Sequence, residues 1–107
     1  MKSIIIVKLQ VEGLHHWPDC SIEKVNFLRY PHRHIFHITC KKEVSHDDRD
    51  IEIIMFKREI MCYINKKWSG DFGSMSCEMI AKNLLNEFGL FYCKVLEDNE
   101  NGAEVTL

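Results

Sequence analysis

The feature that most restricts the fold of this chain is a change of hydrophobic period along it. Val7, Leu9 and Val11 alternate, as do residues from His32 to Lys41, whereas Phe56, Ile60 and Ile64 recur four apart with Met61 beside them. Period two marks a strand with one buried face, and a spacing of three to four marks a helix with an apolar stripe. Strands gathered first, helices next and strands again at the end predict an α+β domain, with helices on one face of an antiparallel sheet.

The elements can be placed along the chain. Ser3 to Val11 reads as a strand. Glu12 to Tyr30 holds Gly13, Pro18, Asp19 and Asn26 without a period, a connection long enough to suggest a functional loop. His32 to Lys41 is a second strand, and a polar turn to Asp50 leads into Ile51 to Met55, read as a third strand closing a hairpin. A helix follows from about Phe56 to Lys67, and Gly70 and Gly73 break it. Ser76 is a candidate N-cap for a second helix, with Glu78 in its first turn, Ile80, Ala81, Leu84, Leu85 and Phe88 as its stripe and Gly89 as its stop. Phe91 to Glu97 is a strand, Asn101-Gly102 a hairpin-turn signal, and Ala103 to Leu107 a last strand. The predicted order is β-β-β-α-α-β-β, one domain over residues 1–107.

Charge and composition exclude several partners. With 14 Lys and Arg against 16 Asp and Glu, for a net charge of −2, the 107-residue chain has no electrostatic footprint for nucleic acid or an anionic membrane. Its apolar runs, such as Ser3 to Val7, fall far short of the roughly 20 residues that cross a bilayer, and no leader pattern is visible, so a cytoplasmic protein is expected. Five cysteines without a Cys-x-x-Cys argue against a disulfide framework or a four-thiolate zinc site.

Histidine is the chemically interesting surplus, with six in the chain and four between Tyr30 and His46. His32 and His34 stand two apart on a predicted strand, so both imidazoles point to one side and make half of a tetrahedral zinc site. A solvated strand face would carry the same pattern. The third ligand would come from His15 or His16, before the long connection, while His37 has the opposite parity and faces away. His37-Ile38-Thr39 is one copy of a His-x-Thr phosphoesterase element that needs two, and a cupin would need a histidine far beyond His46.

Several segments, taken in order, are similar to the 6-pyruvoyl-tetrahydropterin synthase and 6-carboxy-tetrahydropterin synthase family. Val11-Glu12-Gly13-Leu14-His15 stands where that family ends its first strand in Phe-x-Ala-Ala-His. His32-Arg33-His34 matches its His-Gly-His. Ile51-Glu52-Ile53 with Phe56-Lys57 resembles its Ile-Asp-Phe and Leu-Lys, Met75-Ser76-Cys77-Glu78-Met79-Ile80-Ala81 its Pro-Thr-x-Glu-x-x-Ala, and Cys93-Lys94-Val95-Leu96-Glu97 its Val-x-Val-x-Glu. The resemblance implies the T-fold (tunnelling fold), an oligomeric barrel, most simply a hexamer, and a zinc ion held by His15, His32 and His34. It implies Glu97 as the carboxylate that holds the guanidine-like edge of a pterin or purine-like ring.

Two departures bear on activity. Leu28 stands where the family has a proton-transferring cysteine, and the family's Leu-Asp-His-x-x-Leu-Asn segment between the helices is absent. A lyase of this type would thus need a rearranged thiol, for which Cys20 in the long connection is the candidate. The expectation is a zinc protein that binds a pterin-like ring with weak or no synthase turnover. A rearranged enzyme using Cys20 and a purely structural module are its alternatives.

Overall fold

The computed structural model describes all residues from Met1 to Leu107. Strand β1 (Ser3–His15) is followed by a 3-10 segment (Glu23–Arg29), β2 (His32–Val44), helices α1 (Ile53–Trp68) and α2 (Cys77–Phe88), and strands β3 (Tyr92–Glu97) and β4 (Asn101–Thr106). The strands form one antiparallel sheet in the order β1-β2-β3-β4. The fold is therefore α+β, with both helices inserted between the two central strands.

Alternation builds the core. Val7, Leu9 and Val11 of β1, Phe36, Ile38 and Cys40 of β2, and Cys93 and Val95 of β3 face the same way. They meet Phe56, Ile60 and Ile64 of α1 and Ile80, Ala81, Leu84 and Leu85 of α2 in one buried cluster. At about 1.5 to 3 kcal/mol for each large apolar side chain buried, this layer dominates the fold's stability. α1 lies against β1, and α2 against β3 and β4. The helix ends follow the sequence signals: Ser76 accepts from the Met79 amide, and Gly89 closes α2 in the left-handed region at φ 59°.

Three expectations need correcting. Ile51 to Met55 is not a strand, so the order is β-β-α-α-β-β; α1 begins at Ile53 because the Glu52 carboxylate caps it, accepting from the amides of Ile54 and Met55. That cap outweighs the β-branched run, and Ile53 and Ile54 are left exposed on the first turn. β1 also runs on through Glu12 to His15, paired with β2 throughout, and Gly13 sits inside the strand, where a Cβ would come within 2.6 Å of the Phe72 ring. Finally, the turn between β3 and β4 is not Asn101-Gly102. Asp98 and Asn99 take the positive φ values there, 54° and 59°, while Gly102 lies in β4, where a Cβ would meet the Val95 carbonyl.

Candidate metal centre

The extension of β1 and the register of the sheet assemble the site. His15 pairs directly with His32 across β1 and β2, His34 pairs with Gly13, and Glu97 of β3 pairs with Phe36. All three histidines and the glutamate thus lie on the helix-covered face at one end of the sheet. The ring centroids of His15 and His32 are 4.5 Å apart, those of His15 and His34 5.2 Å, and those of His32 and His34 5.0 Å. One ligand atom from each of His15, His32, His34 and Glu97 lies within 4.8 Å of all the others.

The hydrogen bonds fix how each ring is turned. His15 Nδ1 is 2.9 Å from the Met75 carbonyl and His32 Nδ1 2.9 Å from the Tyr30 carbonyl. A carbonyl can only accept, so in both rings Nδ1 carries the proton and donates it. His34 Nδ1 lies 2.7 Å from Asp98 Oδ2 and donates to it in the same way. This leaves three Nε2 lone pairs on the inner side, the tautomer in which imidazole binds a metal. Sequence parity predicts the pairing of His32 with His34, and each ring has the outer acceptor expected of a ligand histidine.

Inside the cluster an imidazole nitrogen faces a carboxylate. His15 is almost wholly buried, and its Nε2 has no hydrogen-bond partner although Glu97 Oε2 is only 2.7 Å away. Glu97 Oε2 is also 3.4 Å from His34 Nε2. An imidazole lone pair facing a carboxylate oxygen at that distance is repulsive unless a cation or an added proton lies between them. The donor set of three imidazoles and one carboxylate fits a divalent cation such as zinc. The group can therefore hold a metal ion.

The surroundings are held firmly. Asp98 sits in the left-handed region and accepts from His34 Nδ1 and from the Ile35 amide, and these two donors hold its carboxyl below the usual carboxylate range. Phe36 stacks edge-on against both His15 and His34, and Phe72 closes over Gly13 against Phe36. A cleft of about 410 Å³ opens beside the cluster, with His15, His32, Leu28, Cys77, Met79 and Glu97 in its wall. Leu28 reaches this wall from the long connection, at the position where the resemblance expects a thiol.

Cys20 does not line the cleft. It is 2% exposed, and its thiol faces the Ile22 and Val25 carbonyls inside the long connection. His16 lines the cleft but is not part of the four-residue group. The thiol that does face the cleft is Cys77, the first residue of α2. Burial, with Glu97 and Glu78 nearby, pushes it up to about 12. Its place behind a Ser76 cap was readable, but only the packing of α2 on β3 turns it toward the histidines.

No protein-family model matches the sequence, and no curated protein matches it.

Proposed function

We propose that the protein is a zinc-binding protein of the tetrahydropterin-synthase type, which binds a planar pterin or purine-like ring in the cleft beside His15, His32 and His34. The observation that carries this reading is the common orientation of the three rings, each with Nδ1 donated outward and Nε2 turned inward. The ordered series of segments from His15 to Glu97 supports the family, the T-fold and the ligand class. When bound, zinc would polarise a carbonyl or hydroxyl oxygen of the ligand. The protein's own groups do the rest: the Glu97 carboxylate can meet a planar N–H pair with its two oxygens, and Met79 and Leu28 offer apolar cover for a ring face.

Turnover is weak or absent in this reading. A neutral, buried Cys77 is a poor base near pH 7, Cys20 is turned away into its own loop, and Leu28 cannot move a proton. Assembly as a hexameric barrel is part of the proposal. Its supports are the open edges of β1 and β4 and the exposed Trp17, Ile22, Phe27 and Tyr30 on the connection beside the site.

One contact favours a second reading. Glu97 Oε2 at 2.7 Å from His15 Nε2 places the carboxylate where it can act as a fourth metal ligand, which would close the site and make it structural. Calorimetry with a panel of pterins on the zinc-loaded protein decides between the two. Pterin binding lost in Glu97→Gln, with zinc retained, supports the ligand-binding reading. Zinc lost in Glu97→Gln, with no pterin bound by the wild type, supports the closed site. A turnover assay with dihydroneopterin triphosphate tests the catalytic half, and activity abolished by Cys20→Ala would restore the rearranged enzyme.

A further inference from the structure

A second cleft, of about 480 Å³, carries a different chemistry. Its wall includes Lys8, Lys57, Lys94, Gln10, His37 and Thr39, and no carboxylate lines it. The strand register explains the gathering. Lys8 pairs with Thr39 and Thr39 with Lys94, so two ammonium groups flank one almost buried threonine in a single cross-strand row. Gln10 and His37 form the next row, and Lys57 of α1 completes the lining. Lys8, Gln10, Thr39, His37 and Lys94 have the parity opposite to the core, whereas Lys57 and its neighbour Met61 belong to α1, which packs against β1.

None of the three lysines makes an ion pair; those of the protein use Lys2, Arg33, Arg49 and histidines. Glu104 is the register partner of Lys94 on β4, without forming an ion pair with it. In a chain of net charge −2, three unpaired ammonium groups around one concavity concentrate positive potential where the rest of the molecule disperses it. Like charges so placed repel, and a polyvalent anion among them removes that repulsion while gaining ammonium hydrogen bonds.

We propose that this cleft binds a small phosphate-bearing anion, with Lys8, Lys57 and Lys94 as its cationic ligands and Thr39, Gln10 and His37 as hydrogen-bonding partners. Three ammonium groups match a diphosphate or triphosphate better than a single carboxylate, and lysine acts on phosphate as a point charge. The volume suits a small molecule. The inference stands apart from the metal reading, because it uses no residue of the histidine cluster.

Calorimetry with inorganic tripolyphosphate tests it, on the protein as purified and again after treatment with a chelator. The expected result is saturable 1:1 binding that is unchanged by the chelator, weakened about tenfold by Lys8→Ala or by Lys94→Ala, and lost in the double variant. Amide shifts in NMR should centre on Thr39 and His37. The proposal is overturned if the double variant binds as the wild type does, if the shifts centre on His15, His32 and His34, or if no saturable binding occurs at 0.1 M salt. A single-stranded oligonucleotide binding more tightly than tripolyphosphate would also overturn it, in favour of a nucleic-acid surface. The lysine variants are surface changes, and an unaltered melting temperature separates a lost ligand from a lost fold.

Discussion

At one end of the helix-covered sheet face His15, His34 and Glu97 meet across three strands, and farther along β2 and β3 Cys40 and Cys93 sit opposite each other in register. Both groups are polar and both are shielded, yet they are built in opposite ways. Cys40 and Cys93 are completely buried among Ile38, Val95 and the helices, and they satisfy one another. The Cys93 thiol is pushed far upward, first by its hydrogen bond with Cys40 and then by burial, so it stays a neutral space-filler. The histidines instead spend one nitrogen each on a fixed acceptor and leave the other bare, beside a carboxylate and a cleft. Burial alone does not make a site. The difference lies in whether the polar groups are satisfied by each other or keep their lone pairs turned into a shared space.

Phe36 is the wall between the two ends, and removing it should have the largest effect. Its ring is fully buried and touches His15, His34 and Phe72. Phe36→Ala is expected to cost about 3–5 kcal/mol of stability, read as a lower urea midpoint at unchanged slope. The metal centre should suffer less than the fold. A variant that kept its midpoint would mean that the histidine end does not lean on the core.

The ligands come next. His32→Ala and His34→Ala should each reduce zinc from one per chain to trace levels by elemental analysis. The loss in affinity should exceed the roughly 10- to 100-fold that outer-shell changes cause. Unchanged zinc in both variants would remove the metal assignment and leave the histidine end a polar counterpart of the cysteine end. Asp98→Asn should have a smaller effect, about 10- to 100-fold in zinc affinity, because it weakens the acceptor that turns His34 without removing a ligand. Its melting temperature should barely move, since Asp98 is on an exposed turn.

The two ends were not equally legible in the sequence. Period two alone puts His32 and His34 on one face, and the same parity excludes His37, because side-chain direction in a strand is a local property. His15 needed more. Gly13 looks like a loop residue, but it pairs with His34 under the Phe72 ring. Leu14 pairs with Arg33 while its amide donates to the Gly70 carbonyl and its carbonyl accepts from the Phe72 amide, which carries β1 on to bring His15 opposite His32. Ile51 to Met55 misled for a related reason: β-branched residues favour a strand, but two amides accepted by Glu52 settle the segment as a helix start. The turn of Cys77 toward the histidines, and the lysine cleft, were hidden. Lys8, Lys57 and Lys94 are far apart in the chain and meet only through register and packing, which no local pattern encodes.

The smallest effect, and the finest test of the comparison, lies in the thiols. Cys62 is exposed on α1, Cys77 faces the cleft with its thiol pushed up to about 12, and Cys40 and Cys93 are sealed in the core. Alkylation requires thiolate and access together, so the folded protein treated with iodoacetamide at pH 8 should react at Cys62 first and at Cys77 much more slowly. Cys40 and Cys93 should react only through unfolding, at a rate that mass mapping finds equal for the two. Modification of Cys62 should leave the melting temperature nearly unchanged, because its side chain is outside the core. If Cys40 or Cys93 reacted as fast as Cys62 under native conditions, the cysteine end would be open rather than sealed. The contrast with the histidine end would then rest on residue chemistry alone and not on how the fold closes around it.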